Sequence, residues 1–369
     1  MKFSINSRTL EKVLAKVFPA IPTRTPMSVI ENFLFKITEN LLTITATDLE
    51  LFMQSNLPVD AIEDFDCLIP AKLFFDIIRS LPDTQLSFET VAGSKLKLKT
   101  ESGTYHIGYS ETTEYPSVPS TSYTKEFTIP GKSLRRALEQ SVFAVSKEPM
   151  RPAMTGLLLD FTDEGLKFVG TDGHKLVRFI NKSLKFEEAE QIIIPEKTIS
   201  VLLKLLSDDN VYIYYNATNV HFKVNEINMI SVLINQKYPA YNSVIPLENE
   251  NILKIYTEPL LTAVKRMQLF STSNFQQVKL SLTENSLELS SEDVDRGSSG
   301  SETVFCEYLG APMDIAFNTS FMSDVLSHMH EEKIAFRFDS PTRAAIIEST
   351  KVKEDEDVLM LLMPVRLNT

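Results

Sequence analysis

The stretch Leu166-Lys-Phe-Val-Gly-Thr-Asp-Gly-His-Lys-Leu-Val-Arg-Phe179 decides how this chain folds. Leu166, Phe168 and Gly170 alternate with Lys167 and Val169, the two-residue period of a half-buried strand. Thr171-Asp172-Gly173 supplies a tight turn, because Gly accepts positive φ and Asp bonds its own backbone. Leu176, Arg178 and Ile180 then resume the alternation. The stretch has two echoes. Leu42-Thr-Ile-Thr-Ala-Thr-Asp48 lies upstream by 166 − 42 = 124 residues, and Leu287-Glu-Leu-Ser-Ser-Glu-Asp293 lies downstream by 287 − 166 = 121.

The repeat extends beyond these strands. Phe3-Ser-Ile5 leads to Leu10 and Leu14, Phe127-Thr-Ile129 to Leu134 and Leu138, and Leu253-Lys-Ile255 to Leu260 and Val264. Each is a short strand followed by an amphipathic helix with apolar residues four apart. A second strand–helix signal lies inside each module: Ile69-Pro70 before Phe74 and Ile78, Ile194-Pro195 before Ile199 and Leu202, and Phe317-Asn318 before Met322 and Val325. Alternating strands follow, as in Lys95-Leu-Lys-Leu-Lys99 and Val211-Tyr-Ile-Tyr-Tyr215. Three α+β modules are therefore expected, over residues 1–122, 126–247 and 251–369, each of ordinary domain size. Polar stretches at 120–124 and 248–251 read as linkers, and residues 296–301 and 351–357 read as exposed loops.

Composition limits the function. With 369 residues, 43% hydrophobic, the chain suits two or three soluble domains and lacks any apolar run long enough to span a membrane. Met1-Lys-Phe-Ser-Ile is already strand-like and carries no leader-type apolar core. Cys67 and Cys306 are too few for a disulfide framework, so a reducing cytoplasm is the simpler setting. A net charge of −12 argues against coating nucleic acid with the whole surface, but leaves room for a basic face.

Such faces exist on the helices. Lys12 and Lys16, Lys72 and Arg79, Lys132, Arg135 and Arg136, Lys197 and Lys204, and Lys265 and Arg266 occupy polar faces, where they serve solubility or hold phosphates. Asp172 and His174 raise the question of acid–base chemistry. No nucleophile motif or phosphate-cradling glycine loop accompanies them, and only 11 glycines occur. His328 and His330, two apart on an expected helix, point apart and make a poor metal pair. No metal or cofactor is expected. An enzyme using Asp172 and His174, and a scaffold that never meets DNA, remain the rival readings.

The three modules, with Thr-Asp-Gly-His-Lys at 171–175, Met-Pro-Val-Arg-Leu at 363–367 and Phe-Phe-Asp-Ile-Ile-Arg at 74–79, closely resemble the bacterial DNA polymerase III beta subunit family, the replicative sliding clamps. The resemblance covers the whole chain. It implies three repeated processivity-fold domains, with helices lining a hole and antiparallel sheets forming the outer rim. It implies a non-catalytic homodimeric ring that encircles double-stranded DNA. Its partners would be the replicative DNA polymerase alpha subunit, the clamp loader and other proteins bearing a clamp-binding motif. DNA-facing residues would be Lys12, Arg24, Lys72, Arg79, Arg135, Arg136, Arg151, Lys197 and Lys265. A peptide pocket would use Met154, Thr171, Gly173, His174, Lys175, Leu176, Pro239, Ser243, Val244, Leu361, Leu362, Met363, Pro364, Val365 and Arg366. Met154 stands where the family often has Leu, and Ser243 where it often has Arg. The dimer joint would involve Tyr105 and Ile107 of one chain and Leu269 and Phe270 of the other. Lys95, Lys97 and Lys99 would guard a strand edge there, facing Glu284, Glu288 and Glu292.

Overall fold

The structure, a computed structural model, describes residues 2–119, 122–271, 276–293, 295–351 and 353–367. Ser120 and Thr121 of the first expected linker and Val352 of the second expected loop lie outside the described residues. Among the described residues, six helices recur in pairs: α1 Ser7–Val17 and α2 Ala71–Ser80, α3 Gly131–Ser141 and α4 Glu196–Leu205, α5 Thr257–Gln268 and α6 Thr319–Ser327. The spacing of apolar residues explains them. Leu10, Leu14 and Val17 of α1 are fully buried while Lys12 and Lys16 face water. Asn6 caps α1, its side-chain oxygen accepting from Arg8 N–H (2.9 Å) and Thr9 N–H (3.2 Å). Asn318 does the same for α6 with Ser320 (2.9 Å) and Phe321 (3.1 Å). Replacing either cap by Ala removes about 1 kcal/mol.

The strands pair antiparallel, and each module crosses its halves. In the first, Lys2–Asn6 leads into α1 but pairs with Gln85–Val91, which follows α2. Phe65–Pro70 leads into α2 but pairs with Asn32–Thr38 of the first half. The other modules repeat this: Lys125–Pro130 pairs with Asn210–Tyr215, and Asn251–Tyr256 with Lys333–Phe338. Each half therefore supplies the edge that the other half lacks.

The chain forms two compact units, Met1–Leu134 with Ser200–Leu233, and Arg135–Ile199 with Ile234–Thr369. They cut across the sequence repeat because sheets are shared between repeats. In the first unit, Leu51–Pro58 pairs with Ile227–Val232, making one eight-stranded sheet. In the second, Lys175–Asn181 pairs with Glu356–Leu362, making one of nine strands. Each unit also holds a five-stranded sheet. That of the first ends on Thr104–Gly108, and that of the second on Ser298–Phe305.

Three expectations need correction. Gly165–Thr171 and Lys175–Asn181 form the expected hairpin, but Gly165–Thr171 is buried on both faces, Lys167 included. One face meets the helix-side core, where Val177 packs with Met360 and Leu362. The other is covered by Tyr238 and Tyr241, which close over Val169, Leu176 and Leu361. Lys167 survives burial by pairing with Glu164 at 2.6 Å. Second, the segment 296–301 is not simply a loop: Ser298–Phe305 is a strand, built of residues too small and polar to signal one. Its Gly300 lets the Phe270 ring lie close, since a Cβ there would fall 2.8 Å from Phe270 Cδ2. Third, Lys95–Lys99 is one strand in from the edge, which is Thr104–Gly108. Glu288 and Glu292 likewise lie on Ser286–Asp293, inside the edge strand Ser298–Phe305.

Candidate functional site

The turn after Thr171 is held by its own side chains. Asp172 Oδ1 accepts from the backbone N–H groups of His174 (2.8 Å) and Lys175 (2.9 Å). Thr171 Oγ1 accepts from Gly173 N–H at 3.1 Å and donates to the Lys175 carbonyl at 2.7 Å. Gly173 sits at φ +89°, where a side chain is strained. A Cβ there would stand 3.0 Å from Arg151 Nη1 and 3.7 Å from Met154 Cε. Arg151, expected in a DNA loop, thus borders this turn, with Glu148 3.8 Å from its Nε.

Lys175 is buried and ion-paired. Its Nζ lies 2.9 Å from Asp172 Oδ2, 3.5 Å from Asp324 Oδ2 and 4.7 Å from the centre of the Phe321 ring. The His174 imidazole also stacks on Phe321, centroids 5.1 Å apart at 18°. The Asp172 carboxylate is committed to backbone N–H groups and to Lys175, so no Asp–His dyad forms and the acid–base reading loses its geometry. Phe321 and Asp324 were not legible as site residues, because nothing local ties helix α6 to residue 175.

The C-terminal segment closes the other side. Met363 N–H donates to the His174 carbonyl at 2.9 Å. Leu176, Leu361 and Met154 are buried, whereas Pro239, Val244 and Met363 are exposed; Leu362, expected in the pocket, packs instead in the helix-side core with Val177 and Met360. Ser243 is exposed and turns its hydroxyl back to Ala240 O at 2.7 Å. Pro364 and Val365 pair with Phe317 and Ala316, and Arg366 is exposed. Met-lined apolar ground under a polar turn suits the side chains of an extended peptide. Tyr238 and Tyr241 support it from below. Tyr238 donates to Val169 O at 3.2 Å, Tyr241 to Asp160 Oδ2 at 2.6 Å, and burial pushes both phenols above their ordinary pKa.

Lys12, Lys16, Lys72, Lys132 and Lys265 are exposed and have no ion-pair partner among the described residues. Four of the helix arginines are engaged. Arg79 meets Asp76 at 3.0 Å, Arg135 meets Glu139 at 3.5 Å, and Arg266 Nε donates to Glu302 at 2.8 Å. Arg136 Nε lies 2.7 Å from Glu356, with Glu331 3.7 Å from its Nη2. Arg24 and Lys197 are exposed. Of the expected joint residues, Leu269 is 79% and Tyr105 37% exposed, Phe270 is half-buried, and Ile107 is in the core at 2%. His328 closes α6 and stacks on Phe143 at 3.7 Å, and His330 lies beyond the helix. Among the described residues no cluster of His, Cys, Asp or Glu could hold a metal, and no helix is long and apolar enough to cross a membrane.

Comparison with known proteins agrees with this architecture. Family models for the N-terminal, central and C-terminal domains of the DNA polymerase III beta subunit match residues 1–119, 128–240 and 242–366. The beta sliding clamps of Vibrio cholerae and Escherichia coli are each 26% identical over the full length of both chains. A crystal structure of the DNA polymerase sliding clamp from Pseudomonas aeruginosa superposes with a TM-score of 0.94 at 26% identity, covering both chains fully. With three consecutive domain matches and full-length relatives, the chain belongs to the DNA polymerase III beta subunit family, the non-catalytic sliding clamps of DNA replication.

Proposed function

We propose that two copies of this chain close into a ring around double-stranded DNA and tether the replicative polymerase to it. The supporting observation is the pattern of sheet edges. Within each unit a large sheet arises where a late strand of one module pairs with the hairpin strand of the module before it: Ile227–Val232 with Leu51–Pro58, and Glu356–Leu362 with Lys175–Asn181. One strand of each kind is left over. Thr104–Gly108 closes the first module, and Ser298–Phe305 holds the hairpin position in the third. Each lacks a neighbour on one side among the described residues, an edge that proteins seldom leave open. Pairing the leftover edges between two chains satisfies both, and two such joints related by a two-fold axis close the assembly without a filament.

The free lysines of the helices then hold duplex phosphates without reading sequence, which suits a body that slides. The 171–176 turn and the C-terminal segment receive extended peptides from the polymerase alpha subunit, the clamp loader and other partners. Met and Leu surfaces offer apolar hollows there, each buried anchor contributing about 1.5–3 kcal/mol before ordering costs. The setting is cytoplasmic, and no cofactor is needed. Sedimentation at twice the 41.7 kDa chain mass, together with retention on nicked circular DNA and loss on linearisation, is the expected result. A monomer, or equal retention on linear DNA, overturns the ring.

A further inference from the structure

A groove of ≈ 1180 Å³ opens on the first module, between the start of α2 and residues 110–114. Of its lining, only Lys72 takes part in the clamp function proposed above, as one of the phosphate-holding lysines. Its walls mix polar side chains with apolar ones, among them Phe18, Ile21, Val29, Pro70 and Leu73. Leu73 is 54% exposed on a helix whose neighbours Phe74 and Ile78 are fully buried.

The second module builds the same corner differently. Ser110 N–H donates to Leu68 O at 3.0 Å, and Ile234 N–H donates to Ile193 O at 2.9 Å. Ser110 and Ile234 are therefore counterparts, 234 − 110 = 124 residues apart, the spacing of the repeat. Ile234 Cδ1 lies only 2.7 Å from where a Cβ on Gly156 would stand, so its side chain packs that corner shut. In the first module Asn32 stands in place of Gly156, and the short, exposed Ser110 leaves the space unfilled.

The rim is acidic. Glu31, Glu111 and Glu114 line the groove, are exposed, and have no ion-pair partner among the described residues. Asp76 is paired with Arg79, and among the described residues Lys72 is the one cation of the lining. Apolar side chains beside unpaired carboxylates disfavour an acidic peptide. They favour an apolar anchor flanked by cations. We propose that this groove docks an extended segment of a partner protein in which a leucine or phenylalanine is flanked by arginine or lysine.

The test uses the full-length chain and two fluorescein-labelled peptides, acetyl-Gly-Arg-Leu-Phe-Arg-Gly-amide and its analogue with Glu for both Arg, followed by anisotropy at low salt. The arginine peptide should bind about tenfold more tightly than the glutamate peptide. Ser110→Ile, which installs the filling residue of the second module, should weaken it about fivefold or more. Glu111→Gln with Glu114→Gln should remove most of the discrimination between peptides. Deleting residues from Met363 onward, which strips the other proposed peptide site, should change neither affinity. Should Ser110→Ile fold poorly, Leu73→Ser at an exposed position makes the same test. Equal binding of the two peptides, full binding to the Ser110→Ile and Leu73→Ser chains, or loss on removing the C-terminal segment each overturns the proposal.

Discussion

Met363 donates its backbone N–H to the carbonyl of His174 at 2.9 Å. Val232 makes the matching bond to Glu50 at 2.8 Å, in the other unit. The turns match atom for atom: Asp48 Oδ1 accepts from Glu50 and Leu51 N–H as Asp172 Oδ1 does from His174 and Lys175. Tyr115 reaches Thr45 O as Tyr238 reaches Val169 O. One hairpin device is thus used twice, and the second use carries Gly173 where the first has Leu49 at φ +80°. At Gly173 a Cβ would stand 3.0 Å from Arg151 Nη1 and 3.7 Å from Met154 Cε. Gly173→Ala should cost about 1–3 kcal/mol of stability from positive φ. It should also weaken peptide binding beyond what the melting temperature explains. Unchanged peptide affinity would separate the turn from the site.

Deleting Met363 to Thr369 should abolish binding of the extended partner peptides proposed for the 171–176 turn while leaving the dimer. Pro364 and Val365 form the strand at one end of the second unit's five-stranded sheet, and Ser298–Phe305 lies at the opposite end. Removal therefore exposes Met313–Asn318 but does not touch the proposed joint. Anisotropy with such a peptide and sedimentation on one sample check both halves, and surviving affinity of that peptide would move the partner site elsewhere.

The contrast between the unpaired lysines and the paired Arg79, Arg135, Arg136 and Arg266 allows a finer prediction about DNA. Exchanging Lys12, Lys72, Lys132 and Lys265 for Gln should flatten the salt dependence of DNA binding by about 0.9 for each phosphate that is no longer neutralised. Exchanging Arg79, Arg135, Arg136 and Arg266 for Gln should change it less, since each already has a carboxylate neighbour. Equal effects of the two sets would show that the ion pairs open on DNA.

His221 offers a pH test. Burial holds its pKa below the ordinary 6.5, although Asn228 at 3.0 Å partly opposes this. Tyr123 and Tyr214 pack on it at 5.5 Å. The unfolded chain therefore takes up a proton near pH 6.5 that the folded chain resists. Its contribution to stability is complete above that pH and declines as pH falls below it. His221→Gln should remove this component, so the difference in melting temperature between the two chains should shift between pH 7.5 and 5.5. A difference constant across that range would mean that His221 titrates as it does in the unfolded chain.

Much of this was legible beforehand because periodicity reports local burial. The strand–helix openings at Phe3, Phe127 and Leu253, and the turn at Asp172, rest on spacing and turn chemistry. What escaped was non-local. Burial of Lys167 depends on Tyr238 and Tyr241 arriving some seventy residues later in the chain, and on Glu164. The strand Ser298–Phe305 is recruited by its partner Ser286–Asp293, not by its own β-propensity. The place of Phe321 and Asp324 beside Lys175 exists only once α6 has packed.

The joint gives the last prediction. Leu269 follows α5 and is 79% exposed, an apolar side chain with little support from its own chain. Tyr105 stands on the edge strand Thr104–Gly108 at 37% exposure. Ile107 and Phe270 differ in kind. Ile107 belongs to the core, and Phe270 packs over Gly300 beneath the other edge strand, so changing either would disturb a module before it disturbed the joint. The clean test is Leu269→Glu with Tyr105→Glu. Each charge would be buried at a joint but is harmless on a free monomer, where surface changes usually move stability by less than about 0.5 kcal/mol. Burying an unpaired charge at two joints costs several kcal/mol at each, enough to separate a nanomolar dimer. The double variant should sediment near 41.7 kDa and melt as a folded protein, while still binding peptide at the 171–176 turn. A species of twice that mass at nanomolar concentration would place the chain-to-chain interface away from Thr104–Gly108 and Ser298–Phe305.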